Sequence, residues 1–341
     1  MGGITLKRNM YNWLQTIAQS NKRYAFPVMT YPGIELTGKS IMDVITDADS
    51  QFSCIEKLFQ TYSPIAIGSV MDLSAEAEAF GSQVRYSPTE VPTVIGQLIT
   101  NTADAEALNI PKVGAGRTSV YPKVCEIAAL KLPDVPVFGG LIGPFSLAGR
   151  LMDMTHIMIA TIEDPDTVEI VLSKCTDFLV EYAKTFKEKG ANGIFIAEPA
   201  AGLLSPDWCE EFSSRFVKKI VDAVQDEEFM VILHNCGNTK KQVTSLVGTG
   251  AWGLHFGNAV NMTDILPQIP GDRLAFGNID PSVVFKNGTA LQMEEKVVQL
   301  LIDMKPYPHF VLSSGCDVPP GTPLTNIDAF YQALNDFNLN L

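Results

Sequence analysis

The residues best suited to chemistry are His234, Cys236 and Cys316. The first two stand two apart in Val231-Ile-Leu-His-Asn-Cys-Gly237, where a β-branched and aliphatic run gives way to Asn-Thr. Such a run reads as a buried strand ending in a loop. Side chains at i and i+2 of an extended chain point to one face. An imidazole and a soft sulfur on one face are half of a tetrahedral zinc site. Cys316 ends another apolar run, Phe310-Val-Leu-Ser-Ser-Gly-Cys-Asp317, and is the best candidate for a third ligand. A His-Cys-Cys set suits a catalytic zinc with an open fourth position. Structural sites usually close with four ligands, often from Cys-x2-Cys knuckles, and the sequence has none. Glu198, at the end of a further run, is a candidate fourth ligand that substrate would displace. Two thiolates leave zinc a weak Lewis acid, poorly suited to activating water but well suited to binding another thiol. A coordinated thiol loses its proton yet stays electron-rich enough to attack an alkyl group. Alkyl transfer to sulfur is the reaction this set suggests. The competing reading leaves His234 hydrogen-bonded in a polar mouth and the cysteines incidental.

The elements that would position these residues are short apolar runs, each ending in small or polar residues. They are Ala25–Thr30, Pro64–Val70, Val137–Ile142, Gly193–Ala197, the run carrying His234, Trp252–Phe256, Leu274–Phe276 and the run carrying Cys316. Helical segments lie between them. Val168, Leu172, Cys175, Leu179, Tyr182 and Phe186 recur at three- and four-residue steps, with Gly190 as a stop. Ser205-Pro-Asp207 is a helix start, and Thr325 to Asp328 has the spacing of a capping box. Asn9 to Gln19 reads as an opening helix. Eight strand-like runs alternating with helices predict an α/β fold, a (β/α)8 TIM barrel formed by the whole chain, 1–341, as one domain. An open doubly wound sheet is the alternative. The length beyond a plain barrel's roughly 250 residues sits between strands two and three, at 81–136, as an insert that can serve as a lid at the mouth.

In a barrel the ends of the runs meet at the C-terminal mouth, where active sites of this architecture lie. That brings Tyr31, Asp72, Glu198, Asn258, Asp280 and Asp317 beside the His-Cys-Cys set. Tyr31, Asp72, Asn258 and Asp280 are candidates for binding substrate. Asp72 and Asp280 can instead orient His234, since metal-bound imidazoles usually donate their second N–H. Asp280-Pro281 also has the form of a helix cap. His255, beside Trp252 and Phe256, reads either as a pocket residue or as a core histidine; His156 and His309 read as structural. Cys54, Cys125, Cys175 and Cys209 read as buried thiols.

Composition narrows the class. The 341 residues are 46% hydrophobic and 18% charged, with a formal net charge of -13. That balance argues against a nucleic-acid or anionic-membrane partner. No apolar run reaches the roughly 18 residues that span a bilayer, and the first residues lack a signal-peptide core, so a cytoplasmic protein is expected. Six cysteines in a chain this long are not a disulfide framework. No G-x-G-x-x-G or P-loop appears.

Phe26-Pro-Val-Met-Thr-Tyr-Pro-Gly33, Met71-Asp-Leu-Ser-Ala-Glu-Ala-Glu78, Ala201-Gly-Leu-Leu-Ser-Pro206, Leu233-His-Asn-Cys-Gly237, Phe276-Gly-Asn-Ile-Asp280 and Ser314-Gly-Cys-Asp317 together resemble the uroporphyrinogen decarboxylase superfamily. More narrowly they resemble its methylcobamide:coenzyme M methyltransferase branch. The resemblance implies a (β/α)8 barrel and zinc held by His234, Cys236 and Cys316. It also implies a cobamide presented by a partner corrinoid protein, whose methyl group a zinc-bound thiolate attacks. The decarboxylases carry an arginine-rich loop after the first strand, where this chain reads Thr30-Tyr-Pro-Gly-Ile-Glu35, without arginine. Porphyrinogen decarboxylation is therefore the alternative, with a non-catalytic corrinoid-binding barrel as another. No arginine in the sequence is evidently placed to receive the sulfonate of coenzyme M.

Overall fold

The computed structural model describes residues 8–341. In chain order its strands are β1 (Ile67–Gly68), β2 (Gln83–Arg85), β3 (Thr93–Ile95), β4 (Val137–Ile142), β5 (Gly193–Ala197), β6 (Met230–Asn235), β7 (Gly253–Phe256), β8 (Leu274–Ile279) and β9 (Phe310–Ser314). All but β2 and β3 form one parallel sheet in the order β1-β4-β5-β6-β7-β8-β9. Every residue of β4, β5, β6, β7 and β9 is buried. Burial on both faces is what near-continuous apolar runs specify in a parallel sheet covered by helices.

Seven of the eight expected strands are ladders of this sheet; the first is not. Ala25 makes only an isolated parallel bridge to Leu312 of β9, and its carbonyl accepts the Ile65 N–H before β1. Residues 24–26 thus join the two edges of a curled, TIM-barrel-like sheet. Toward β1 the pairing stops there because Pro27, the next residue facing that edge, has no N–H to donate. Side chains of β9 take over: the Ser314 hydroxyl accepts the Val28 N–H at 3.0 Å, and the Ser313 hydroxyl donates to the Phe26 carbonyl at 2.7 Å.

Alternation along each strand then divides the core. Phe26, Ala66, Phe138, Phe195, Met230, Ile232, Leu274, Phe276 and Val311 pack into one cluster inside the curl. Met10, Leu14 and Ile17 of the opening helix (Met10–Ala18, capped by Asn9) belong to the same cluster. They lie one helical face apart and plug the interior from that side. Outside, the helix Pro165–Glu188 buries Val168, Leu172, Cys175, Leu179, Tyr182 and Phe186, the residues its spacing picks out. Each such side chain contributes roughly 1.5–3 kcal/mol. Ser205 caps the next helix through the Trp208 N–H. The capping box expected at Thr325 does not form, because the helix starts one residue earlier, at Leu324, with Pro323 at its cap.

Residues 81–136 hold a feature the sequence did not predict, the antiparallel pair β2–β3, with Gln83 opposite Ile95. The helices Thr102–Ala107 and Val120–Lys131 follow it. No described helix is long and apolar enough to cross a membrane.

Glu76 lies wholly within this core. Its Oε1 accepts the Ile142 N–H at 3.0 Å and its Oε2 has no partner. Burial is the main reason its carboxyl is pushed up to about 8. A folded-state value above the unfolded one means stability that is fully present below pH about 4.5 and lost as pH rises through about 8. Glu76→Gln keeps the acceptor and removes the charge. Its melting temperature is expected to exceed that of the parent by a margin that grows from pH 5 to pH 8, worth a few kcal/mol at most by roughly 1.4 kcal/mol per unit. A margin independent of pH, measured by calorimetry, would contradict this.

Candidate metal centre

β6 carries His234 as its second-last residue, and Cys236 follows at the strand end. Gly237 then turns the chain with φ +81°, a left-handed conformation that glycine takes without strain. β9 ends at Ser314, two residues before Cys316. The end of β6 therefore delivers two ligand atoms, and the end of β9 one, to one place. His234 Nε2 lies 2.8 Å from Cys236 Sγ, and Cys236 Sγ lies 3.5 Å from Cys316 Sγ. All three ligand atoms are within 4.8 Å of one another. Tetrahedral zinc, with Zn–S about 2.3 Å and Zn–N about 2.0 Å, sets its ligand atoms roughly 3.5–3.8 Å apart. The set therefore fits such an ion with small adjustments. Within the pair of thiols the Cys236 S–H donates to Cys316. That bond is the main reason the Cys316 thiol lies well below its usual range, and it pushes Cys236 up.

His234 is oriented by a histidine. His234 and His255 are register partners on β6 and β7. Their Nδ1 atoms are 2.7 Å apart, and His255 Nε2 lies 2.9 Å from Ser313 Oγ. Phe195 and Phe276 flank the His255 ring, with centroids 5.1 and 6.3 Å away. Burial there, and then the neighbouring His234, push His255 well below the usual histidine range.

The other expected site residues are placed as follows. Glu198 is fully buried and is not brought into the His-Cys-Cys group. Its Oε2 accepts the Phe145 N–H at 3.0 Å, and its Oε1 accepts the N–H and hydroxyl of Ser146. The carboxylate thereby closes the start of helix Pro144–Met152, a favourable place for negative charge. A Cβ on Gly143 would fall 2.3 Å from Glu198 Oε2, so only glycine admits this contact. Burial pushes Glu198 up to about 7 against these donors. Asp72 and Asp280 do not touch His234. Asp72 accepts from Arg117, from Tyr121 Oη at 2.6 Å and from Ser74 Oγ at 2.6 Å. Asp280 caps the turn after β8 through the Ser282 and Val283 N–H groups, and holds Asn258 at 2.7 Å.

A cleft of about 520 Å³ opens beside Asp317, the neighbour of Cys316. Tyr31, Asp72, Arg150, Lys286 and the insert residues 89–94 line it. Tyr31 is buried and its hydroxyl has no partner. Arg150 makes no hydrogen bond or ion pair with any described residue, and burial lowers its pKa. Arg150 thus lines this cleft, a position that the sequence did not single out. It was missed because it sits six residues past Pro144 on a helix, not at a strand end. His255 was legible only as one of two readings, because its partner Ser313 lies 58 residues away.

Comparisons with known proteins show the family and the fold. The profile of the family described as uroporphyrinogen decarboxylase (URO-D) matches residues 27–337. A methylcobamide:CoM methyltransferase MtbA of Methanosarcina acetivorans is 28% identical over 316 residues, 90% of each chain. A methylcobamide:CoM methyltransferase MtaA of Methanosarcina barkeri is 26% identical, over 88% of this chain and 86% of the relative. A solved structure, a methyltransferase from Methanosarcina mazei, superposes with a TM-score of 0.86 at 23% identity, covering 97% of this chain and 99% of that one.

Proposed function

Since this chain belongs to the uroporphyrinogen decarboxylase family and stands with its methyltransferases, we propose that it moves a methyl group from a methyl-Co(III) corrinoid, carried by a partner protein, to a small anionic thiol of the coenzyme M kind held at zinc. The observation that carries this reading is the gathering of His234, Cys236 and Cys316 within 4.8 Å beside a cleft lined by an unpaired arginine. Zinc bound by these three residues would lower the pKa of an incoming thiol and keep it as a thiolate at neutral pH.

The chain's own residues do the rest. His234 presents Nε2, because its Nδ1 faces His255. Cys236 and Cys316 supply soft sulfurs at the strand ends. A fourth-ligand role for Glu198 would require its carboxylate to leave Phe145 and Ser146, so in this reading the thiol takes the open position directly. Arg150 and Lys286 draw the anionic end of the thiol into the cleft, and the free Tyr31 hydroxyl is a donor for it. Residues 89–94 act as part of a lid that keeps water from the thiolate. The sulfur attacks the methyl carbon in line with cobalt. A C–S bond forms and the Co–C bond breaks with its electron pair left on cobalt, so Co(III) becomes Co(I). The thiol proton has already gone to solvent. Leu203 and Val283, exposed after β5 and β8 at the same end, are apolar contacts for a docked partner.

Titration calorimetry with 2-mercaptoethanesulfonate in buffers of different ionisation enthalpy tests this reading. Binding to zinc-loaded protein is expected to release about one proton per chain, and the hydroxyl analogue is expected to bind without release. Equal binding of both, with no proton released, would overturn it.

A further inference from the structure

We propose that Ser313 and His255, hung from the Phe26 carbonyl, form a relay that fixes the proton of His234 on Nδ1 and so keeps Nε2 free for the metal. The inference rests on the reading of His234, Cys236 and Cys316 as zinc ligands and adds a second tier to it.

The donor and acceptor inventory favours one arrangement, in which the Ser314 backbone carbonyl is a further acceptor beside the His255 ring. The Phe26 carbonyl can only accept, so the Ser313 hydroxyl proton is committed to it, at 2.7 Å. The Ser313 oxygen then acts as acceptor toward His255 Nε2 at 2.9 Å, and that nitrogen carries the N–H. A neutral imidazole has one N–H, so His255 Nδ1 is an acceptor. The single proton in the 2.7 Å gap between the two Nδ1 atoms belongs to His234. Its Nε2 is left with a lone pair pointing toward the sulfurs. Metal-bound imidazoles more usually donate to a carboxylate or carbonyl. Here the carbonyl sits two bonds further on, and an uncharged histidine and a serine transmit its demand. No carboxylate touches His255 in the described residues, so the relay orients His234 without adding charge to a two-thiolate site. The loss of regular pairing after Ala25 leaves the Phe26 carbonyl to the Ser313 side chain, which ties the irregular first segment to the site.

Ser313 and His255 come from β9 and β7, so each can be altered apart from the ligands. His255 and Ser313 are positioning residues, and the test reads metal affinity and protonation directly. Zinc affinity is measured by chelator competition, with zinc alone as the probe, for the parent, Ser313→Ala, His255→Phe and His255→Gln. Loss of such a supporting partner typically weakens metal binding about 10- to 100-fold. That loss is expected for His255→Phe, which keeps the ring volume but cannot accept. A smaller loss is expected for Ser313→Ala, and partial rescue for His255→Gln, whose carbonyl can accept. ¹⁵N spectra of histidine-labelled, zinc-loaded parent are expected to show the proton of His234 on Nδ1 and that of His255 on Nε2. Ser313→Ala removes only a small hydroxyl, so it remains informative if the His255 variants do not fold.

Unchanged zinc affinity in Ser313→Ala and His255→Phe, or a proton on His255 Nδ1, would overturn the relay and leave the metal site standing. A parent that binds no zinc would overturn both.

Discussion

Replacing Cys316 with alanine is expected to reduce bound zinc from about one per chain to a small fraction and to abolish thiol-dependent methyl transfer. Zinc sites built by proteins are worth about 10–16 kcal/mol in all. With three protein ligands, each then carries on the order of 3–5 kcal/mol, about 10²–10⁴-fold in affinity. Cys316 is the sulfur that its hydrogen bond from Cys236 holds toward the thiolate. Its loss leaves a His-Cys pair from β6 alone, without the ligand that crosses from β9. The residue is partly exposed at the mouth and not part of the core, so the melting temperature of the metal-free protein should stay close to that of the parent. Metal analysis after dialysis, with melting curves of the apo proteins, checks both halves. Full zinc retention would mean that Cys316 is not a ligand.

The second large effect is expected at Arg150. It lines the cleft, is partly desolvated and is engaged with no described residue. A cation in that condition is costly unless an anion from outside completes it. A charge-assisted hydrogen bond is worth about 1.5–3 kcal/mol, so Arg150→Gln should raise KM for mercaptoethanesulfonate about 10- to 150-fold. Zinc content should not change. With 2-mercaptoethanol, which lacks the anionic end, KM should move by less than about twofold, since nothing is left for Arg150 to hold. Lys286 is exposed, and the same change there should cost only a few-fold, in line with a solvent-screened contact. Equal losses for the charged and neutral thiols would assign Arg150 a structural role.

Much of this was legible in the sequence because parallel strands announce themselves. β4 to β9 are uninterrupted apolar runs ending in small or polar residues, and the i, i+2 rule alone placed His234 and Cys236 together. The first run failed as a ladder for a local reason, Pro27, whose effect depends on which neighbour would have received its N–H. The β2–β3 pair was missed because its strands are three residues long and largely exposed, with no buried face to impose alternation. Glu198 was read as a ligand because it ends a strand beside the site. Its carboxylate also meets the helix start at Phe145 and Ser146, 52 residues earlier in the chain, which the strand-end position does not announce. Asp72 was turned toward Arg117 and Tyr121 in the same way. Strand-end position is a property of local sequence. The direction a charged side chain takes from there is decided by whichever donors the other strands and helices bring within 3 Å, and these have no local signature.

The central claim is methyl transfer to a thiol at the His234, Cys236 and Cys316 centre. The measurement that tests it most directly is the absorbance of methylcobalamin, as a free methyl donor, incubated anaerobically with zinc-loaded protein and mercaptoethanesulfonate. Thiol-dependent conversion to cob(I)alamin is predicted, with one methyl thioether formed per cobalamin demethylated, and no conversion in His234→Ala or Cys316→Ala. Conversion that persists in both variants would contradict the account. So would a zinc-loaded parent that leaves methylcobalamin intact while releasing carbon dioxide from uroporphyrinogen.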